Sequence, residues 1–326
     1  MGYKIQKHAQ TDIIEITNNN NFVVSLSDLG AGIYKIVMND EIMNYGPKFL
    51  DEYSKVNQYY GKTIGRFAGR IKGATWNNIK FSPNENNNLL HSGKYGLENR
   101  RFKYFIKETK NYIKVVFSAT DSGKKSLFPG IFTLKVIYKI YNSSNRIDLE
   151  FVSKCSEDCI VNLTNHAYYC LGSSNLNELK MKINSSYYVA VDNELLATEI
   201  KPVDKTFDFR RMKTVTRDIY DKNLQESTST GYDHLFLFDA KNSAELKLIL
   251  QNAKYKMKIY TDFPAIQFYS NCYPQTFVNL NDEVDGLYKA AALEPQLNTF
   301  DIENTILKSG EIRKNKIIYK FELIKK

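Results

Sequence analysis

Residues 131–141 read IFTLKVIYKIY, and apolar or aromatic side chains occupy every second position of this stretch. Alternate residues of an extended chain point to opposite faces, so such a stretch buries one face and exposes the other. Thr133, Lys135 and Lys139 lie between the apolar residues and would face water. The stretch therefore predicts a half-buried β-strand, with an inner face made of Phe132, Leu134, Val136, Tyr138 and Ile140.

The same alternation recurs along the chain, and turn-rich segments separate the strands that it predicts. Helical periodicity is limited to short turns near residues 46–53 and 218–224. Many strands with little helix predict an all-β fold, a large antiparallel β-sandwich with very little helix. The further predicted strands lie in residues 111–120, 145–155, 244–251 and 316–324.

The length of the chain, 326 residues, is compatible with two domains, but β-sandwiches often reach such a length as one domain. The sequence has no repeat of fixed period and no segment that resembles a linker. Two Asn-rich patches, residues 18–21 and 84–88, are predicted loop insertions. We therefore expect a single domain that spans residues 1–326.

The net charge of +9 raises the question of nucleic-acid binding, because clustered basic residues attract phosphate. The basic residues of this chain do not cluster. Most lysines alternate with apolar residues, as in residues 255–261 (YKMKIYT), which is typical of the solvated face of a strand. We expect no nucleic-acid partner.

Neither a membrane span nor a secretion signal is evident. No run of about 18 apolar residues is available to cross a bilayer. The first residues, MGYKIQKHAQ, lack the apolar core of a signal peptide. We expect no membrane partner and a cytoplasmic location.

Four cysteines are too few for a disulfide framework in a chain of this length, so free thiols are expected. Cys155 and Cys159 could suggest a metal clip, but no second pair with ligand spacing accompanies them. A turn between two strands explains their spacing better. The remaining cysteines are Cys170 and Cys272.

Five stretches carry polar residues that strand alternation does not explain. Taken singly, His91 and His166 are explained as hydrogen-bonded core residues, and Asp233 as part of a turn. Glu294 is different, because it follows small apolar residues and precedes a proline. A buried carboxylate costs several kcal/mol unless it is paired or used. The five stretches are residues 61–76, 87–100, 162–172, 231–238 and 291–300.

Several kinds of site are compatible with these residues. A metal site could use His91, His166 and Glu294 with Asp233 and His234, but their spacing is not typical of zinc ligands. A glycosidase could use Asp233 and Glu294 as its two carboxyl groups. A serine hydrolase would need a nucleophile elbow, which is missing, and the glycine-rich stretch lacks the strand and helix of a dinucleotide site.

Taken together and in this order, the five stretches resemble the aldose 1-epimerase family, the galactose mutarotases. The resemblance extends from about residue 20 to the C-terminus, and five motifs in order are far more specific than one. The motifs are IGRFAGRI (64–71), LLHSG (89–93), LTNHAYY (163–169), GYDHLF (231–236) and ALEPQ (292–296).

The resemblance implies the galactose mutarotase-like supersandwich and the interconversion of the α and β anomers of free hexoses such as D-galactose and D-glucose. It implies Glu294 as general base and His166 as general acid. The substrate-binding residues that it implies are Arg70, His91, Asp233 and Gln267. It implies no cofactor and no metal, a small aldose as partner, and a monomer or homodimer. We also expect a nearby carboxylate to favour the protonated form of His166 at neutral pH.

The sequence departs from the family pattern at three places. Gly69 stands where many members have Asn, and Ser92 replaces the usual first Gly after the histidine. After Gln296, the segment LNTFDIENTILKSGE replaces a proline-rich stretch, so an altered loop is expected beside the site. These departures leave a non-catalytic sugar-binding protein as an alternative, and the basic balance leaves a hexose-6-phosphate 1-epimerase as another.

Overall fold

The stretch 131–141 forms a long strand, Phe132–Tyr141, and the five side chains of its inner face are each at most 1% exposed. The other predicted strands are present as Tyr112–Asp121, Arg146–Cys155, Leu246–Gln251 and Ile312–Leu323. The structure is a computed structural model that describes residues 1–55, 59–228, 230–240 and 242–324.

The strands of the first half of the chain range from two to ten residues in length. They are β1 (Gly2–Lys7), β2 (Asp12–Thr17), β3 (Val23–Ser27), β4 (Gly32–Met38), β5 (Glu41–Ile42), β6 (Asn44–Tyr45), β7 (Thr63–Ile64), β8 (Arg70–Ile71), β9 (Thr75–Trp76), β10 (Ile79–Lys80), β11 (Leu89–Leu90), β12 (Lys103–Glu108), β13 (Tyr112–Asp121), β14 (Phe132–Tyr141) and β15 (Arg146–Cys155).

The second half of the chain adds the strands that carry most of the candidate site. They are β16 (Cys159–Ile160), β17 (Thr164–Asn165), β18 (Tyr168–Tyr169), β19 (Lys180–Ile183), β20 (Tyr187–Val191), β21 (Ala197–Pro202), β22 (Lys213–Thr214), β23 (Asp233–Leu237), β24 (Leu246–Gln251), β25 (Tyr255–Thr261), β26 (Ala265–Tyr269), β27 (Ala291–Gln296), β28 (Ile306–Leu307) and β29 (Ile312–Leu323).

Helix is scarce in the described residues. The two predicted helical turns are found as α1 (Leu50–Lys55) and α2 (Lys222–Thr228), each shifted towards the C-terminus. Single 3₁₀ turns are found at Lys72–Ala74, Gly93–Tyr95, Leu97–Asn99, Leu176–Glu178 and Ile302–Thr305. No helix in the described ranges is long and apolar enough to cross a membrane. All four cysteines are buried and free, as expected.

Two large sheets form the body of the fold. A nine-stranded sheet has the order β12-β13-β14-β15-β29-β25-β24-β19-β22, and a seven-stranded sheet has the order β21-β20-β23-β26-β27-β18-β6. A five-stranded sheet, β1 to β5, adjoins them, and neighbouring strands of the sheets pair antiparallel.

The inner faces of the two large sheets pack on each other. The ring of Tyr169 in β18 lies 5.7 Å from the ring of Tyr319 in β29, and one cluster of buried apolar side chains includes residues of both sheets. Burial of apolar surface contributes about 25 cal/mol per Å², so this shared core stabilises the packing of the two sheets. The packing confirms the predicted antiparallel β-sandwich.

Strand alternation also decides where the polar residues point. Gln267 in β26 pairs directly with Glu294 in β27, and Leu235 in β23 pairs with Gln267. Paired residues of antiparallel strands share a face, and so do residues two apart. Phe268 and Leu293 face the core. Gln267, Glu294 and Asp233, which lies two residues before Leu235, therefore project from the opposite face.

Candidate active site

A cavity of about 1390 Å³ opens on the outer face of the seven-stranded sheet. Residues from all five polar stretches line it, although they are far apart in the sequence. The structure brings all six sequence-predicted site residues to its wall, namely Arg70, His91, His166, Asp233, Gln267 and Glu294.

Glu294 lies in the middle of β27, a strand that is buried along its whole length. The side chain is 3% exposed. Burial raises the pKa of the Glu294 carboxyl well above its usual range, and the nearby Asp233 carboxylate raises it further, while Arg70 opposes this shift. A carboxyl group with a raised pKa at a cavity wall is a candidate for proton transfer.

The backbone of His166 is held on both sides. Its N–H donates to Lys62 O at 2.9 Å, and its carbonyl accepts from Gly61 N–H at 2.9 Å. Asn165 Nδ2 donates to Gly61 O at 2.6 Å. Gly61 has a φ of 69°, and a Cβ there would lie 1.8 Å from Ile33 O, so only glycine fits at this contact. His166 is therefore fixed by main-chain geometry as well as by its ring contacts.

His166 and Glu294 form a close pair, with Nε2 and Oε1 3.4 Å apart. We expected the carboxylate to keep His166 protonated at neutral pH, but burial dominates and lowers its pKa to about 4. Burial thus opposes the charge on both residues. When the pair holds one proton in total, it can act as an acid and a base together.

A pH profile follows from this proton count. Below the His166 pKa of about 4, a second proton enters the pair, no base remains, and the enzymatic rate should fall. Above the raised pKa of Glu294 the pair loses its last proton, so the rate should also fall on the alkaline side. If the Glu294 pKa were raised but the His166 pKa were unperturbed, the second proton would enter the pair at about pH 6.5, and the acid limb would lie there. A profile of kcat/KM against pH, corrected for the buffer reaction, distinguishes a lowered His166 pKa from an unperturbed one. An acid limb near neutrality would contradict the lowered pKa.

His91 is prepared as a hydrogen-bond donor. Its Nδ1 accepts from Gly69 N–H at 3.0 Å, so the proton of the neutral ring lies on Nε2. Burial lowers the pKa of His91 well below its usual range, and the neighbouring His166 and Arg70 lower it further, which keeps the ring neutral. The His91 and His166 rings meet edge to face at 5.5 Å.

Ser92 explains one departure from the family pattern. It has a φ of 64°, which favours glycine, but its hydroxyl accepts from Phe67 N–H at 2.8 Å and can donate to Phe67 O at 3.2 Å. These bonds tie the turn that carries His91 to the segment that carries Gly69 and Arg70. The hydroxyl therefore forms two hydrogen bonds that a glycine at this position could not form.

Ser92→Ala should lower the free energy of unfolding by about 1–3 kcal/mol, because it leaves the buried Phe67 N–H without its acceptor. Urea denaturation followed by fluorescence measures the change. Ser82→Ala is the matched control, since Ser82 is exposed, and it should stay within about 0.5 kcal/mol of the wild type. Equal stability of Ser92→Ala and wild type would contradict the role given to the hydroxyl.

Arg70, Asp233 and Gln267 form a connected polar group. Gln267 Nε2 donates to Asp233 Oδ1 at 2.6 Å, and Arg70 Nη1 lies 3.6 Å from Asp233 Oδ2. Arg70 also forms an ion pair with Glu85, with Nε 2.5 Å from Oε2. The donors and acceptors of this group face the cavity at fixed positions and are suited to vicinal hydroxyls.

Several cavity residues were missed by sequence reasoning. Glu85 is the one acidic residue of the Asn-rich patch, which was its only signal. The ring of Tyr59 lies 4.7 Å from that of His91 and 5.5 Å from that of His166, but no motif marks this tyrosine. Aromatic rings at a polar cavity can stack on the apolar face of a sugar. Tyr269, Tyr273 and Trp76 also line the cavity.

Lys62 and Glu98 form a second buried group of titratable residues at the cavity wall. Their exposed fractions are 2% and 1%. Burial lowers the pKa of Lys62 to about 8 and raises the pKa of Glu98 to about 8. Sequence alone gave no sign of this, because a lysine beside a glycine normally indicates a surface turn.

The two other departures also lie at the cavity. Gly69 has a φ of 95°, and the nearest atom to an added Cβ, in Phe67, is 4.0 Å away. Open space thus lies beside Arg70, at the position where the sequence resemblance implies Asn in many family members. The altered segment after Gln296 supplies Thr299 and Phe300 to the rim.

No group of three or more His, Cys, Asp or Glu side chains within the described ranges is arranged to hold a metal ion. The neighbouring polar groups of the cavity are instead arranged in pairs, such as His166 with Glu294 and Asp233 with Gln267.

Comparison with known proteins finds relatives that match most of this chain. A protein-family model described as "Aldose 1-epimerase" matches residues 12–320. The aldose 1-epimerase of Haemophilus influenzae is 29% identical over 304 residues, which is 88% of this chain and 87% of that protein. The human galactose mutarotase is 26% identical over 291 residues, 84% of this chain and 82% of that protein.

Solved structures agree on the fold. The galactose 1-epimerase of Lactobacillus acidophilus superposes with a TM-score of 0.89 at 24% identity, covering 99% of this chain and 98% of that one. An aldose epimerase homologue from C. elegans superposes with a TM-score of 0.85 at 25% identity, covering 97% of this chain and 100% of that one. These matches confirm the fold that the sequence resemblance implied.

Proposed function

This chain belongs to the aldose 1-epimerase family, and from this premise we propose that it interconverts the α and β anomers of free hexoses such as D-galactose and D-glucose. It is an isomerase of the epimerase type that acts on carbohydrates. The pair of His166 and Glu294, 3.4 Å apart at the cavity wall, is the observation that carries the proposal.

The reaction needs a base and an acid at the same time. The pyranose opens at the C1–O5 bond, the aldehyde rotates, and the ring closes on its other face. A base removes the proton of the C1 hydroxyl while an acid protonates the ring oxygen, and each well-placed group contributes about 10²–10⁴ in rate. No electrons are transferred, so the protein's own side chains suffice.

The proposed reactive form of the pair carries its single proton on His166. Glu294 then takes the proton of the C1 hydroxyl, and His166 gives its proton to the ring oxygen. When the ring closes, Glu294 returns a proton to the oxygen at C1 and His166 takes back the proton of the C5 hydroxyl. The pair ends in its starting form, so one proton serves every turnover.

The remaining residues are proposed to bind the hydroxyl groups. His91 Nε2–H and the free side of the Arg70 guanidinium are donors, and Asp233 is an acceptor, while Gln267 holds Asp233 through its Nε2. The Tyr59 ring beside both histidines supports a pyranose face. A large cavity suits the rotation of the open aldehyde without its release.

The charges of the cavity favour a free sugar over a sugar phosphate. In the described part of the wall, acidic side chains outnumber basic ones, six to four. Burial raises the pKa of both Glu98 and Glu294, but even with these two carboxyls uncharged, four acidic side chains balance the four basic ones. A phosphate dianion would therefore meet no net positive charge at this wall. The acidic residues are Glu85, Glu98, Glu194, Asp233, Glu294 and Glu303, and the basic ones are Lys62, Arg70, Lys72 and Lys94.

Polarimetry of freshly dissolved α-D-galactose and α-D-glucose tests the proposal. The protein should bring the optical rotation to equilibrium faster than buffer with the same ionic strength. Hexose 6-phosphates should compete weakly. Rates no faster than buffer would refute catalysis on these sugars, and strong preference for a phosphorylated sugar would change the substrate class. Calorimetric binding without accelerated mutarotation would indicate a sugar-binding protein.

A further inference from the structure

The turn at residues 84–88 is fixed to the strands beside the cavity. Backbone hydrogen bonds between its two ends close it. The Asn84 side chain accepts from Leu90 N–H at 2.7 Å and donates to Leu90 O at 3.1 Å. Leu90 in β11 pairs with Arg70 in β8. The Asn-rich patch is thus an ordered part of the site and not a remote insertion.

Glu85 projects from this turn onto Arg70. Its carboxylate oxygens accept from Arg70 Nε at 2.5 Å and from Nη2 at 2.9 Å, which is a bidentate ion pair. The Glu85 side chain is 31% exposed and that of Arg70 is 14% exposed. The pair uses one edge of the guanidinium, and Nη1 is left towards Asp233, 3.6 Å from Oδ2.

Two acidic residues therefore compete for one cation. Without Glu85, the long Arg70 side chain could turn its planar fork onto Asp233, because carboxylates are the preferred bidentate partners of arginine. Asp233 already accepts from Gln267 on Oδ1. A bidentate pair with Arg70 would occupy the remaining acceptor positions that a sugar hydroxyl needs.

We propose that Glu85 is a positioning residue for the substrate-binding group, since it holds Arg70 in the orientation that leaves Nη1 and Asp233 available to sugar hydroxyls. This role rests on the proposed function. It also explains why a carboxylate stands in an otherwise Asn-rich turn.

The test compares KM and kcat of the wild type with those of Glu85→Gln and Glu85→Asp, measured by galactose mutarotation. Glu85→Gln should raise KM on the order of tenfold with kcat nearly unchanged, because hydroxyl binding is similar in the ground state and the transition state. Glu85→Asp keeps the charge and should recover part of the affinity. The urea midpoints of both variants should match the wild type, because Glu85 lies on a half-exposed turn.

A double-mutant cycle separates positioning from a general effect on the turn. In an Arg70→Ala background, Glu85→Gln should cause no further change in KM, because its partner is gone. Glu322→Gln is the matched control. Glu322 pairs with Lys258 at 2.8 Å in the nine-stranded sheet, so the same chemical change there should leave KM unaltered.

An unchanged KM in both Glu85 variants would overturn the inference, and so would an equal rise in KM with and without Arg70. Either result requires a wild type that accelerates mutarotation, whereas an inactive wild type would refute the proposed function itself. Should Glu85→Gln fail to fold, the KM of Glu85→Asp and its cycle with Arg70→Ala decide the question.

Discussion

Glu294→Gln should lower kcat by about 10²–10⁴-fold, because an amide cannot take the proton of the C1 hydroxyl. The amide has nearly the same shape, so the buried strand that carries residue 294 should keep its structure. KM should change little, since the proposed role lies in the transition state. Polarimetry with α-D-galactose measures the loss after subtraction of the spontaneous rate.

The stability of Glu294→Gln offers a second readout. Burial raises the pKa of the Glu294 carboxyl, which means that the folded state favours its neutral form. Replacement by a neutral amide should therefore not destabilise the fold. Glu150→Gln on the nine-stranded sheet is the control for the same substitution. A Glu294→Gln variant with the kcat of this control would show that another residue is the base.

His166→Ala should likewise lower kcat by about 10²–10⁴-fold and leave the fold intact. The ring lies at the cavity wall, and neighbouring backbone hydrogen bonds hold residue 166 whatever its side chain. The Tyr168 ring, at 5.1 Å from the His166 ring, should keep its place in β18. Polarimetry and a urea titration measure the two expectations separately.

Added imidazole gives His166→Ala a specific test. The substitution leaves a space of imidazole size beside Glu294, so imidazole should restore part of the rate beyond its own catalysis in buffer. His8→Ala, at an exposed position, is the control and should match the wild type. Because acid and base act as one unit, the double variant with Glu294→Gln should be about as slow as the slower single variant. Independent, multiplying losses would argue against a shared proton.

The strands could be predicted from the sequence because each carries its own signal. In β14, the alternation of apolar and polar residues is local, and the structure shows the same alternation of buried and exposed side chains. Two-residue strands such as β7 and β17 carry no such period, so their pairing of Thr164 with Ile64 was beyond sequence reasoning. Yet that pairing sets the position of His166.

The six site residues could be named because they lie in motifs that resemble a known family, but their interactions could not. The Glu85 ion pair depends on a turn that folds back over 15 residues, and composition suggested only a loop. The protonation of His166 depends on burial, which outweighs the neighbouring carboxylate and reverses the expected shift in pKa. The cytoplasmic location, the single domain and the monomeric or homodimeric state stay predictions.

The placement of the polar residues on neighbouring strands has a consequence for local opening. Asp233, Gln267 and Glu294 stand on β23, β26 and β27, which lie side by side within the seven-stranded sheet and not at its edges. Backbone amides of central strands exchange with solvent only when large parts of a protein open together. Fraying at the edge strands β21 or β6 would leave this group assembled. Catalytic activity should therefore be lost only when the protein unfolds cooperatively.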